Sequence, residues 1–104
     1  MSKYRKMHLF DVDMTSKGGI LMNEGQSIER GVKIQDPIYS PCGYLGLSIS
    51  FDVRFPEMYR ELVLKGAQTL LVPSHFLPQT GAHHWTSLLR SRAIENQSYV
   101  VAAA

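Results

Sequence analysis

The stretch Tyr44 to Glu57, YLGLSISFDVRFPE, constrains this chain more than any other segment. Leu45, Leu47, Ile49 and Phe51 alternate with small or polar residues, which is the two-residue period of a β-strand. The alternation breaks at Asp52 and Arg54, and a helical pattern begins at Pro56. Proline suits the first turn of a helix, where its missing N–H costs nothing. The segment predicts a strand, a sharp turn and a helix, with Ser50 as the last strand residue bearing a nucleophile-type side chain. Backbone N–H groups and the positive end of the helix dipole converge at such a place, and together they favour a developing oxyanion.

The flanking sequence extends this pattern into a β–α–β–α–β order, which argues for helices packed on a partly parallel sheet. Tyr4 to Phe10 reads as a strand end leading into a loop, and Asp11 to Asp36 as a long irregular connection punctuated by Gly18, Gly19 and Gly25. Pro37 to Ser40 and Tyr44 to Phe51 read as paired strands around a turn at Pro41-Cys42-Gly43. Pro56 to Lys65 is helical, with Met58, Tyr59, Leu62 and Val63 on one face and Gly66 as its stop. Gln68 to Val72 is a buried strand ended by Pro73, and Ser74 to Gly81 is a loop. His83 to Gln97 is a second helix, with Trp85, Leu88, Leu89 and Ala93 inward, and Ser98 to Ala104 is a final strand.

The 104 residues are 44% hydrophobic and 19% charged, the composition of a globular chain of one-domain size. Eleven Lys and Arg against nine Asp and Glu leave a net charge of +2, too little to argue for nucleic acid or a membrane surface. Cys42 stands alone, so neither an internal disulfide nor a cysteine-based zinc site is expected. Apolar runs stay short of membrane-spanning length, and the N-terminal residues lack a signal peptide's apolar core. A soluble cytoplasmic protein is the expectation. The closing YVVAAA reads as a core strand with no polar tail, an edge open to aggregation.

Four blocks resemble the carbon–nitrogen hydrolases of the nitrilase superfamily, in particular the Nit-type amidases. Gly46, Ile49, Ser50, Phe51, Asp52, Arg54, Phe55, Pro56 and Glu57 fall on that family's nucleophile motif G-x-x-I-C-Y-D-x-R-F-P-E, with serine where the family has cysteine. YRKMHLFDVD (Tyr4 to Asp13) is similar to the catalytic-lysine block, TGAHHW (Thr80 to Trp85) to T-G-x-x-H-W, and Arg90 to Ala104 to R-A-R-A-x-E-x-Q-x-Y-V-V-A-A-A. The resemblance implies an α/β fold, the central part of a four-layer αββα sandwich. Residues 1–104 would then be the middle of one hydrolase domain, with the family's general-base glutamate upstream of the lysine block and its last strands beyond. An isolated middle piece would bury little surface, and instability is expected of it.

By the same resemblance Lys6 is the lysine that stabilises the oxyanion, Ser50 holds the nucleophile position, and the N–H of Phe51 is a further oxyanion donor. Arg54 suits a substrate carboxylate, the alternative being an ion pair with Asp52 or Glu57. Asp13 falls where relatives place a second acidic residue near the pocket, or else is a solvated loop aspartate. The substrate class would be small amides bearing a carboxylate, with no metal or organic cofactor, and the complete domain would form homo-oligomers. Three readings of Ser50 stay open: a substitution made to trap substrate, a natural pseudoenzyme acting as a binding or scaffold chain, and a serine that works. A serine hydroxyl needs a tuned base, whereas a thiol with a reference pKa of about 8.5 is readily activated. Gly46-Leu47-Ser48-Ile49-Ser50 has no G-x-S-x-G elbow, and no histidine spacing singles out a serine triad. His83 and His84 are adjacent, not the i, i+4 pair of a helical metal site.

Overall fold

The computed structural model describes residues 2–104. The chain begins with irregular backbone, then forms a short antiparallel hairpin from β1 (Asp11–Asp13) and β2 (Leu21–Asn23). A second hairpin joins β3 (Ile38–Ser40) to β4 (Gly43–Leu47). A 3-10 turn (Ser50–Arg54) leads into α1 (Pro56–Leu64), followed by β5 (Thr69–Pro73), α2 (Pro78–Asn96) and β6 (Tyr99–Ala103). The larger sheet has the order β3-β4-β5-β6, with β4, β5 and β6 parallel and joined through the two helices. This is the expected β–α–β–α–β core.

Both helices start at proline. Met58, Tyr59 and Leu62 of α1 are buried, and Gly66 at φ 100° takes the left-handed conformation that ends the helix, as its sequence predicts. α2 begins at Pro78, ahead of the expected His83, because Pro78 offers a preset first turn and Gly81 is accommodated inside the helix. Its deeply buried residues are Arg92 and Asn96; Trp85, Leu88 and Leu89 are half-buried against the core. Arg92 donates from Nε to the carbonyl of Val53 at 2.9 Å and sits over the Tyr59 ring at 5.7 Å, so α2 grips the turn ahead of α1.

Three further expectations are corrected. Tyr4 to Phe10 forms no strand; side chains hold it, as described below. The connection from Asp11 to Asp36 carries the β1–β2 hairpin, closed by backbone bonds from Met14 to Ile20 and from Gly19 to Met14. Finally, β4 stops at Leu47, before Ser50.

Within β4 the most buried residues are Gly46 and the adjoining Ser48, while Leu45 and Leu47 are only partly covered. Gly46 faces α1 so closely that a Cβ there would lie 3.1 Å from Ala67 Cβ, 3.1 Å from Leu70 Cδ2 and 3.3 Å from Leu62 Cδ1. The Ser48 hydroxyl shares a 2.6 Å hydrogen bond with Tyr59 Oη and reaches the carbonyl of Leu71 at 2.8 Å, joining sheet to helix. On β6 the side chains alternate, with Val100 and Ala102 toward the helices and Tyr99 and Val101 exposed on the opposite face. Replacing Gly46 by Val should overpack this seam and destabilise the fold by about 1–3 kcal/mol. Urea unfolding of the two proteins checks this, and an unchanged midpoint contradicts it.

Candidate active site

Ser50 opens the 3-10 turn at φ 50°, in the left-handed region that non-glycine residues rarely occupy. Such a conformation costs about 1–3 kcal/mol and persists only where its surroundings impose it. The turn's first backbone bond runs from Asp52 N–H to the Ile49 carbonyl at 3.1 Å, which leaves the amides of Ser50 and Phe51 outside its ladder. Ser50 and Phe51 both line a cleft of about 1110 Å³.

Lys6 lines the same cleft. Its side chain is buried at 6% exposure, and its ammonium donates to Glu24 Oε2 at 2.6 Å. The same Glu24 oxygen accepts the backbone N–H of Phe10 at 2.8 Å, which orients the carboxylate toward the lysine. An ammonium has three N–H donors, and among the described residues one is paired. Glu24 is the functional residue that sequence reasoning missed. It lies in the connection taken as irregular, and no spacing rule links it to Lys6.

Asp52 is fully buried and receives four hydrogen bonds. The Tyr4 hydroxyl (2.6 Å) and the Ile49 N–H (2.9 Å) reach Oδ2; the His8 N–H (3.0 Å) and ring Nδ1 (2.8 Å) reach Oδ1. A carboxylate only accepts, so His8 Nδ1 carries the proton. The His8 ring also stacks on Phe55, with centroids 3.7 Å apart. From the sequence Asp52 is only a motif position and an ion-pair alternative for Arg54; neither its burial nor its link to His8 has a local signal.

Arg54 also lines the cleft. It pairs with neither Asp52 nor Glu57; its Nη2 lies 3.3 Å from His84 Nδ1, and its guanidinium sits 5.4 Å from the Phe76 ring and 6.0 Å from that of Phe51. Asp13 does not reach the cleft wall, although its neighbours Val12 and Met14 do. Its exposed carboxylate accepts from the Thr15 hydroxyl and N–H, bonds that lower its pKa. The acidic group against Lys6 is therefore Glu24. Apolar side chains from the hairpin and its flanks (Phe10, Val12, Met14, Ile20, Met22) wall one side of the cleft, and Phe76 and Leu77 contribute from the approach to α2.

The family model for the carbon–nitrogen hydrolases matches residues 1–104. This chain belongs to that family. It is 56% identical over 104 residues to the deaminated glutathione amidase of Dictyostelium discoideum, covering 98% of this chain and 34% of that protein. Among solved structures, the Caenorhabditis elegans NitFhit protein superposes with a TM-score of 0.89 at 48% identity, over 99% of this chain and 24% of that one. A cysteine-to-serine mutant of the Nesterenkonia AN1 amidase, of the nitrilase superfamily, superposes with a TM-score of 0.73 at 31% identity, over 99% of this chain and 36% of that one. The chain spans about a third of the length of the curated amidases it matches. The expected fold, part of a nitrilase-superfamily α/β domain, agrees with these neighbours.

Burial, and after it the hydrogen bond to Asp52, pushes the Tyr4 phenol well above its ordinary value, and burial pushes Tyr59 up as well. Between that ordinary value, about 10, and the raised ones the folded chain binds more protons than the unfolded chain. Stability is full below that point and falls as pH rises beyond it. Urea unfolding at a series of alkaline pH values should therefore show a declining free energy, and Tyr59→Phe should reduce the slope by one proton. An identical slope in both proteins contradicts the shift.

Proposed function

We propose that this chain carries the nucleophile and oxyanion end of an amide-hydrolysing site for small amides bearing a carboxylate, and that with Ser50 in place it turns over no amide. The observation behind this reading is that Lys6 and Ser50, 44 positions apart in sequence, line one cleft. With a thiol at position 50, attack on the amide carbon would place negative charge on the carbonyl oxygen. The Phe51 N–H and the Lys6 ammonium are the donors offered to it. A glutamate base of the family type would take the thiol proton and pass it to the nitrogen as the C–N bond breaks, releasing the amine and leaving a thioester that water hydrolyses to the acid and the free thiol. Lys6, held by Glu24, acts as a fixed positive charge here. A serine hydroxyl is much less acidic than a thiol, so the same surroundings would not activate it.

Arg54 supplies the carboxylate preference. It lines the cleft, two aromatic rings and His84 hold it, and among the described residues no carboxylate pairs with it. A guanidinium in that state can take a substrate carboxylate through two parallel hydrogen bonds. The serine itself favours a second reading, a silent chain that keeps the fold as a binding or scaffold element.

Ammonia release from a panel of small amides separates the two. The protein as it stands should release none, and Ser50→Cys, placed in a longer chain that also carries the family's upstream glutamate, should release it in multiple turnovers. Continued silence from that longer Ser50→Cys protein, when folded, supports the scaffold reading. In the active variant, Arg54→Ala should raise KM about tenfold or more for a carboxylate-bearing amide while leaving a neutral analogue little changed. An equal effect on both substrates removes the carboxylate role.

A further inference from the structure

We infer that Asp52 is a positioning residue whose single carboxylate sets the distance between the Lys6 ammonium and the side chain at position 50. This rests on the reading of Lys6 as the electrostatic partner of position 50. Four donors converge on Asp52, and their places in the chain carry the inference. Tyr4 and His8 flank Lys6 by two residues on either side, and both bind this carboxylate. Ile49, immediately before Ser50, binds it through its N–H, and Asp52 itself follows Ser50 by two residues. Each reactive position is thus bracketed by residues fastened to the same two oxygen atoms. The Tyr4 hydroxyl adds a further tie by accepting the Met7 N–H at 3.2 Å.

Nothing else in the described structure would hold the Tyr4–Phe10 segment in this register as firmly. It has no strand pairing; its other ties through backbone bonds, carboxylates and guanidinium groups are the Gly31 N–H to the Lys6 carbonyl at 2.8 Å, the bonds to Glu24, Arg30 Nε to the Met7 carbonyl at 2.8 Å, and Arg5 to Glu29 at 3.3 Å. All of these reach the long connection that follows, not the turn bearing Ser50. Toward the nucleophile turn and α1 the segment also packs His8 on Phe55, Phe10 against Phe51 and Tyr4 near Met58, but the hydrogen bonds that join it to the turn are those to Asp52. The left-handed backbone of Ser50 has the same origin, because the Ile49 N–H and the Asp52 side chain clamp the residue from both sides. Asp52 touches no substrate in this account; it acts through the two groups it places.

The test uses a Cys42→Ser, Ser50→Cys protein, in which the introduced thiol is the sole one of these 104 residues. The rate of alkylation by iodoacetamide is followed against pH, so the profile reports thiolate formation at position 50. Lys6→Met should move the profile to higher pH. Asp52→Asn, which keeps the shape but replaces one acceptor oxygen by a donor, should move it the same way, by about one unit or tenfold in rate near neutrality. The milder Tyr4→Phe should give a smaller shift in that direction and decides the matter if Asp52→Asn does not fold. Adding Lys6→Met to either variant should have much less effect than Lys6→Met alone, because the lysine is already displaced.

A full Lys6→Met effect that persists unchanged in folded Asp52→Asn and Tyr4→Phe proteins overturns the positioning role and leaves the functional reading intact. A profile that Lys6→Met does not move overturns both, since there is then no lysine effect to position. Loss of stability alone would not shift the pH profile or create coupling to Lys6. The profile therefore separates positioning from a merely structural contribution.

Discussion

The carboxylate of Asp52 is the point on which the site depends. Its hydrogen bonds cross from the irregular N-terminal segment to the turn before α1, two parts of the chain that no β-ladder connects. A buried carboxylate is costly unless its lone pairs are used, and here four donors use them. The same demand that makes the group tolerable in the interior also orders everything around it. Tyr4, His8 and Ile49 have little freedom once Asp52 must be satisfied; Lys6 lies between the first two, and Ser50 between Ile49 and Asp52 itself.

A second layer of constraint comes from Arg92. Its guanidinium is buried under α2, donates to the Val53 carbonyl and sits over Tyr59, which is itself hydrogen-bonded to Ser48 at the end of β4. The turn carrying Ser50 is thus held from the N-terminal segment by an acid and from the second helix by a base. A left-handed serine is sustainable in such a frame, whereas in a free loop it would relax. The frame explains how this left-handed turn keeps its geometry around position 50. Shape here is set by groups behind the serine and not by the serine.

The site was partly legible in the sequence. Lys6, Ser50, Phe51 and Arg54 were singled out from short motifs, and the structure places all four on one cleft. Asp13 was named because relatives place a second acidic residue near the pocket about there, but its carboxylate turns back to Thr15 and satisfies its own loop. Glu24 is the acid that meets Lys6, and it does so because the β1–β2 hairpin folds the connection back on itself. Three-residue strands carry almost no periodic signal, so neither the hairpin nor the acid it delivers could be read in advance. Asp52 was visible as a motif residue, yet its partners Tyr4 and His8 lie 48 and 44 positions away, and no local pattern records them.

What the chain declared by itself was the order of its elements: strand, turn, helix, strand, helix, strand, with Pro56 and Gly66 bounding the first helix. Those features follow from backbone preferences and short-range periodicity, which act between residues a few positions apart. Only the folded molecule decided which side of β4 would be the core. Alternation alone pointed to Leu45 and Leu47, yet Gly46 and Ser48 are the buried pair, because Ala67, Leu70 and Leu62 crowd Gly46 too closely for a larger side chain and Tyr59 offers Ser48 a partner. Likewise the buried residues of α2 include a charged arginine, since a carbonyl and an aromatic ring were waiting for it. Periodicity can mark two faces of a strand or helix, but the close approach of another element chooses between them.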